Sequence, residues 1–212
     1  LFYATASEIM AQTGSLEIVS RFADAIRKMS EGELLQLENI RQFGITPDTY
    51  FTILTAKTAA LIGVICRAAG VLADLGEAKK NALEEFGLAL GLAFQLVDDA
   101  LDYLAEKRTL GKAPLTDARE GKVTLPLILL KERASAEELD EITRRLDQES
   151  FSGEDGDFLA SLVEKYATAQ ESMKRAEAFT EKAVSTLRNN FADSPERQHL
   201  EALTLGLLHR PF

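Results

Sequence analysis

Several features are scarce in this sequence, and each scarcity argues against a class of protein. Its 212 residues include no tryptophan and one cysteine, and 24 basic side chains stand against 34 acidic ones, for a net charge of −10. Nucleic-acid phosphates are bound through basic surfaces, so we expect no nucleic-acid partner. The lone Cys66 cannot form an internal disulfide, which favours a cytoplasmic protein. No uninterrupted apolar run reaches the ~18 residues of a membrane span, so we expect no transmembrane segment.

Prolines and glycines are also few, and they separate long segments of helical periodicity. Apolar residues make up 46% of the chain, as is usual for a globular fold, and no stretch alternates with period two. The sequence therefore predicts one all-α domain over residues 1–212, with about eight helices. They are predicted at 1–12, 15–39, 47–73, 79–107, 124–133, 135–146, 157–189 and 194–208. In the second of them the residues predicted to face inward are Leu16, Val19, Ala23, Ile26, Leu34 and Leu37.

The most informative segment is an acidic stretch inside an otherwise apolar helix. At about 100° per residue, Asp102 and Asp99 lie about 40° and 100° around the helix from Asp98. Gln95 lies between those two directions. Two like charges ~5 Å apart repel by roughly 3 kcal/mol at an effective dielectric of 20, so we expect a cation at this face. Oxygen ligands without nearby His or Cys favour Mg²⁺ or Ca²⁺, and Mg²⁺ completes its shell with water and substrate phosphates. A solvated face or a helix cap is the alternative.

Two glycines lie on the same face, towards the N-terminus of this helix. Gly87 and Gly91 would leave room for an apolar group to lie against the helix above the metal site. Close packing of a second helix is the alternative, and the spacing alone does not decide between them.

The segment that follows the acidic helix reverses the local charge. Residues 107–122 carry a net charge of +3, and their basic residues are Lys107, Arg108, Lys112, Arg119 and Lys122. A basic loop beside an acidic metal site suits an anionic ligand that bridges to the metal. Lys112 and Lys122 each follow a glycine and are candidates to hold a phosphate, whereas a solvated loop is the alternative. In the third helix, Lys57 beside Thr58 is either a surface lysine or a further phosphate or cation-stabilising group.

Together these segments resemble a known family. The stretches 94–103, 111–112 and 117–128 resemble the second aspartate-rich region of trans-isoprenyl diphosphate synthases, and most closely the bacterial octaprenyl-type branch. The stretches 31–37 and 57–59 are similar to other family segments, in the same order. The resemblance implies an isoprenoid synthase-type helical bundle around a central cavity, usually as a homodimer. It also implies a prenyltransferase that adds isopentenyl diphosphate head-to-tail to an allylic diphosphate through Mg²⁺-assisted ionisation, giving a linear polyprenyl diphosphate.

The resemblance also implies roles for individual residues. Asp98 resembles the main Mg²⁺ ligand, supported by Asp99 and Asp102 directly or through water. Lys57, Lys112 and Lys122 resemble the lysines that hold the allylic diphosphate. Thr58 and Gln95 resemble the groups that face the allylic cation, and Glu33 and Gln36 occupy positions that line the pocket.

One family feature has no counterpart in the sequence. Family members carry two aspartate-rich motifs that face each other across the cavity. Residues 1–30 contain a single aspartate, Asp24, and so cannot supply the first motif. We therefore expect a chain that lacks its N-terminal helices and is inactive by itself, with a naturally short relative as the alternative. Two other functions compete with the synthase: a non-catalytic subunit of a heteromeric prenyl synthase, and a class I terpene cyclase.

Overall fold

The computed structural model describes residues 2–104, 115–148 and 151–209. Within these ranges the chain forms helices and no strands, which confirms the all-α prediction. There are ten α-helices in these ranges. They are α1 (Phe2–Gln12), α2 (Leu16–Glu38), α3 (Pro47–Leu72), α4 (Glu77–Leu104), α5 (Thr116–Arg119), α6 (Leu125–Leu130), α7 (Ala136–Leu146), α8 (Gly153–Lys165), α9 (Thr168–Asn190) and α10 (Pro195–Gly206).

Most of the helix starts follow from capping residues in the sequence. Helix α2 begins after Ser15, whose hydroxyl accepts a hydrogen bond from the backbone of the first turn, and α3 begins after Thr46 with Pro47 at its first position. Ser135 and Glu138 form a reciprocal capping box at the start of α7. These signals explain why the predicted and observed starts agree closely at these helices.

Two differences raise the number of helices from the predicted eight to ten. The single turn α5 lies in a segment that was predicted to be a loop, and the predicted helix 157–189 is divided into α8 and α9 at Ala167, where φ is +52°. Arg133 donates a hydrogen bond from Nη1 to the Tyr166 carbonyl oxygen at 2.9 Å, so a carbonyl at this break has a partner. Neither glycine nor proline marks the break, so no local signal in the sequence predicts that the helix ends here.

Helix α4 is the centre of the bundle and packs between α3 and α9. Its approach to α3 is close: a Cβ at Gly91 would lie 2.6 Å from the Ala59 Cα, and a Cβ at Gly87 would lie 2.6 Å from the Ile62 carbonyl oxygen. The two glycines therefore serve helix packing rather than a space for an apolar ligand. Beside α4, every residue of α6 is buried.

Part of the apolar face predicted for α2 is not covered by the chain. Leu16 is 81% exposed and Leu34 is 61% exposed, and Val19 and Leu37 are exposed as well. The prediction that these four residues and Ala23, which is also exposed, face inward is wrong, because α2 packs on α3 through Ala25, Gly32 and their neighbours instead. Exposed apolar side chains at both ends of one helix are a feature of surfaces that bind another protein segment.

Helix α3 is long and apolar enough to cross a membrane when only its length and composition are considered. The expected absence of a transmembrane segment therefore stays a prediction. Its Arg67 is 3% exposed and forms ion pairs with Glu17, Glu77 and Glu84 from the two helices beside it. A charged group held by its neighbours in this way is typical of a helix inside a protein bundle.

Candidate active site

A polar cleft lies where α2, α3 and α4 meet the segment 115–124. It encloses about 580 Å³ of empty space, part of which is open to solvent. The sequence-predicted residues Gln36, Lys57, Thr58, Gln95, Asp99 and Lys122 all line it, together with Tyr50, Asp117 and several apolar side chains. The structure thus brings together residues separated by nearly ninety positions. Most of them were predicted from separate motifs, and Tyr50 and Asp117 were not predicted as site residues.

The three aspartates of α4 have different surroundings. Asp98 is exposed, so its carboxylate is open to solvent and to a ligand. Asp99 is 3% exposed, and its two oxygens accept hydrogen bonds from Tyr50 Oη at 2.5 Å and from Gln95 Nε2 at 2.9 Å. Burial raises the pKa of Asp99 to about 7, although both hydrogen bonds favour the charged form. Asp99 is therefore held inside the protein, whereas Asp98 faces outward.

Asp102 connects α4 to α5. Its two carboxylate oxygens accept hydrogen bonds from the backbone nitrogens of Thr116 and Asp117, each at 3.0 Å. Burial raises the pKa of Asp102, and the two backbone bonds oppose that rise. Because these backbone groups belong to the first turn of α5, Asp102 fixes the segment that carries Asp117 against the acidic helix.

Lys57 extends from α3 towards α2. Its ammonium group lies 2.6 Å from Glu33 Oε2 and also donates a hydrogen bond to Gln36 Oε1. Glu33 is exposed, and Lys57 is partly exposed on the wall of the cleft. Lys57 is thus a cleft cation whose present partners are a solvent-facing carboxylate and an amide.

Lys122 also lines the cleft, from the segment that follows α5. Its Nζ atom is 3.1 Å from Asp117 Oδ1 and 2.6 Å from Glu120 Oε2. Partial burial opposes the charged form, but the Glu120 and Asp117 carboxylates prevail and raise the pKa of Lys122. The ammonium group therefore remains charged at neutral pH. The predicted Lys107, Arg108 and Lys112 lie outside the described residues.

Thr58 and Gln95 meet across the contact between α3 and α4. Thr58 Oγ1 donates a hydrogen bond to Gln95 Oε1 at 3.2 Å, and both side chains line the cleft. A π-helical segment, Thr55–Ala59, carries Lys57 and Thr58. Segments of this type are frequent at functional sites, and this one places two consecutive polar side chains on the cleft wall.

The donor set fits a hard divalent cation that keeps part of its shell for water or a ligand. No three acidic, histidine or cysteine side chains of the described residues form a ready metal cage. Asp98 nevertheless offers an open carboxylate. Asp117 lies beside Asp102, since its backbone nitrogen donates to Asp102 Oδ2 and its charge contributes to the raised pKa of Asp102. Mg²⁺ is commonly held by one or two carboxylates together with water and phosphate oxygens, which is the arrangement that these residues permit.

Two cleft residues were missed by the sequence analysis. Tyr50 lies seven residues before Lys57, which places it two helical turns away on a similar face of α3. Asp117 is the acidic residue five positions before Lys122; it begins the stretch 117–128 that carries the family resemblance, but no role was assigned to it. Helical spacing from Lys57 could have suggested Tyr50, but nothing in the sequence indicated that its partner is Asp99.

Comparisons with known proteins place the chain among characterised relatives. A family model described as polyprenyl synthetase matches residues 1–155. Octaprenyl diphosphate synthases of Haemophilus influenzae and Escherichia coli are 35% and 32% identical over 95% and 98% of this chain. A crystal structure of polyprenyl synthase from Caulobacter crescentus, complexed with calcium and isoprenyl diphosphate, has a TM-score of 0.90 and 35% identity over 98% of this chain. The chain spans 60% and 62% of the two sequence relatives and 63% of that structure.

Proposed function

The chain belongs to the polyprenyl synthetase family, and from this premise we propose that the protein containing it is a trans-polyprenyl diphosphate synthase. The membership confirms the resemblance found in the sequence and the isoprenoid synthase-type fold. The proposed reaction joins isopentenyl diphosphate head-to-tail to an allylic diphosphate and releases a linear polyprenyl diphosphate and diphosphate. The observation that carries this proposal is the cleft itself, where lysines, aspartates and the Thr58–Gln95 pair surround one space.

In the proposed function the two cleft lysines bind the diphosphate. Lys57 on α3 and Lys122 on the segment after α5 both line the cleft, which supports a diphosphate site that uses both ammonium groups. Their present partners, Glu33 and Glu120, are exposed carboxylates that can turn into solvent when a phosphate oxygen takes their place. The lysines therefore exchange one anion for another without losing a charged partner, which lowers the desolvation cost of binding. Lys112 is proposed to contribute from the neighbouring segment.

The remaining cleft residues suit a carbon–oxygen bond that ionises. Thr58 and Gln95 present oxygen atoms to the cleft, and oxygen dipoles stabilise a positive charge that develops beside them. Ile53, Leu54 and Val123 cover the neighbouring wall with apolar groups, which keeps water away from a carbocation. Neither a nucleophilic side chain nor a catalytic histidine is required for these roles.

We propose Mg²⁺ as the metal, held by Asp98 with help from Asp102 directly or through water; Asp99, which is 3% exposed, helps only indirectly. When bound, the ion would stabilise negative charge on the leaving diphosphate. Asp98 does not line the cleft itself, but it lies beside Asp99, which does, and its exposed side chain supports a role in binding an ion from solvent.

We also propose that the protein is a homodimer and that it is located in the cytoplasm. The exposed apolar side chains of α1 and α2, among them Ile9, Leu16 and Leu34, support an interface with a second copy. The single cysteine is compatible with a reducing compartment.

The test is product analysis with the complete protein. Incubation with Mg²⁺, isopentenyl diphosphate and farnesyl diphosphate should give longer linear prenyl diphosphates, and Asp98→Ala should abolish them. Asp140→Ala on α7 is the matched control, because this aspartate is exposed as well but belongs to a helix that contributes no residue to the cleft. If no product forms while Asp98→Ala leaves Mg²⁺-dependent diphosphate binding unchanged, the proposal is wrong. Cyclic products would instead indicate a terpene cyclase, and activity only with a second protein would indicate a subunit of a heteromeric synthase.

A further inference from the structure

Asp99 differs from the other aspartates of α4 because both of its oxygens are used inside the protein. Tyr50 Oη donates to Oδ2 at 2.5 Å and Gln95 Nε2 donates to Oδ1 at 2.9 Å. Tyr50 and Asp99 are each 3% exposed, and the Tyr50 ring is fixed by an edge contact with Phe51 at 5.4 Å between centroids. The carboxylate is therefore held in one orientation by groups from two helices.

This arrangement determines which end of the Gln95 amide faces the cleft. Gln95 Nε2 donates to Asp99 Oδ1 while the Tyr50 hydroxyl occupies Oδ2, so the NH₂ end of Gln95 is turned towards Asp99. The carbonyl oxygen then lies on the other side, where it accepts a hydrogen bond from Thr58 Oγ1 at 3.2 Å. If the amide were reversed, the cleft would face an NH₂ group, whose partial positive charge would oppose a developing cation.

We propose that Asp99 and Tyr50 are positioning residues that orient the Gln95 amide, and that Asp99 acts through Gln95 rather than as a direct metal ligand. This inference rests on the proposed function, since it assigns the oriented oxygen to the cation side of that reaction. Tyr50 contributes by keeping Asp99 from rotating, and Asp99 contributes by holding the NH₂ end of the amide.

Two variants test the orientation, and Asp98→Asn is the comparison. Asp99→Asn keeps the shape of the side chain but can offer its own NH₂ group to Gln95, which allows the glutamine amide to reverse. Tyr50→Phe keeps the ring and removes only the hydroxyl. In ¹⁵N-labelled protein without metal or substrate, we expect the side-chain NH₂ signals of Gln95, assigned through Gln95→Leu, to shift in both variants and to remain in place in Asp98→Asn.

Kinetics of the complete protein separate this role from metal binding. We expect Asp99→Asn to lower kcat roughly tenfold to a hundredfold, the scale found when a group that orients an active residue is lost, while the Mg²⁺ concentration for half-maximal rate stays within about twofold. Asp98→Asn should raise that concentration at least tenfold. An Asp99→Asn protein that needs as much Mg²⁺ as Asp98→Asn, or whose Gln95 signals do not move, would overturn the inference. The NMR result holds whether or not the wild-type protein turns over prenyl diphosphates, so failure of the proposed function can be recognised separately.

Discussion

The ion pairs of Arg67 give the sharpest test of how the three helices α2, α3 and α4 are held together. The guanidinium is buried, and it donates from Nε to Glu17 at 2.7 Å, from Nη2 to Glu77 at 2.7 Å and from Nη1 to Asn81 at 2.5 Å. Arg67→Met retains an unbranched apolar stem with good helix propensity and removes these three bonds together with the longer one to Glu84 at 3.4 Å. The variant therefore isolates the charged group from the packing of its stem.

The expected loss of stability is about 3 kcal/mol. Each hydrogen bond to a charged group contributes roughly 1.5–3 kcal/mol, but burying the guanidinium costs several kcal/mol in the wild-type protein, and that cost disappears in the variant. In addition, Arg21 lies 3.2 Å from Glu84, and Lys80 lies 3.4 Å from Glu17, so these carboxylates keep a cation after the substitution. The estimate accordingly falls at the lower end of the roughly 3–5 kcal/mol found when a buried ion pair is broken.

Urea unfolding followed by circular dichroism measures this loss directly. A loss of about 3 kcal/mol should also lower Tm by roughly 6–12 °C in a chain of this length. Arg144→Met is the matched control, because Arg144 is 61% exposed and pairs only along its own helix, and no measurable change is expected there. If Arg67→Met unfolds within about 0.5 kcal/mol of the wild-type protein, the reasoning on this buried network is refuted.

Three further predictions concern packing, thiol reactivity and acid stability. Gly91→Ala should destabilise the protein by roughly 1–3 kcal/mol in urea unfolding, because the added Cβ would lie 2.6 Å from the Ala59 Cα; Gly206→Ala, with no atom within 4 Å, should show no loss. Burial raises the pKa of Cys66 to about 11, so its alkylation by iodoacetamide should increase about tenfold per pH unit from pH 8 to 10; a plateau by pH 9 would contradict this. Lys165 and Tyr166 lower the pKa of Glu138 to about 2, so its contribution to stability is complete above the unfolded value near pH 4.5 and is lost as the pH falls towards 2. Glu138→Gln should therefore weaken the dependence of unfolding on pH in that window, and an unchanged dependence would argue against the ion pair.

The fold class and most of the helix boundaries could be predicted from the sequence because they depend on local signals. Ser15, Thr46 and Ser135 cap their helices through bonds within the first turn, and such bonds involve only neighbouring residues. The break at Ala167 depends instead on Arg133, which is distant in the sequence, and it was missed. Likewise, periodicity identified Leu16 as part of an apolar stripe, but a stripe does not specify whether its partner belongs to the same chain.

In the candidate site, too, local spacing could be predicted from the sequence, whereas contacts with distant residues could not. Helical spacing correctly placed Asp98, Asp99 and Asp102 on neighbouring faces of one helix, but a common face is compatible with three different environments. Asp98 is open to solvent because none of the helices that the structure describes covers it, whereas Tyr50 from α3 covers Asp99 and the first turn of α5 covers Asp102. The partner that a second element supplies decides whether a carboxylate binds a ligand, orients an amide or anchors a loop. A motif of three aspartates is therefore better treated as three separate hypotheses, each tested against the group that faces it.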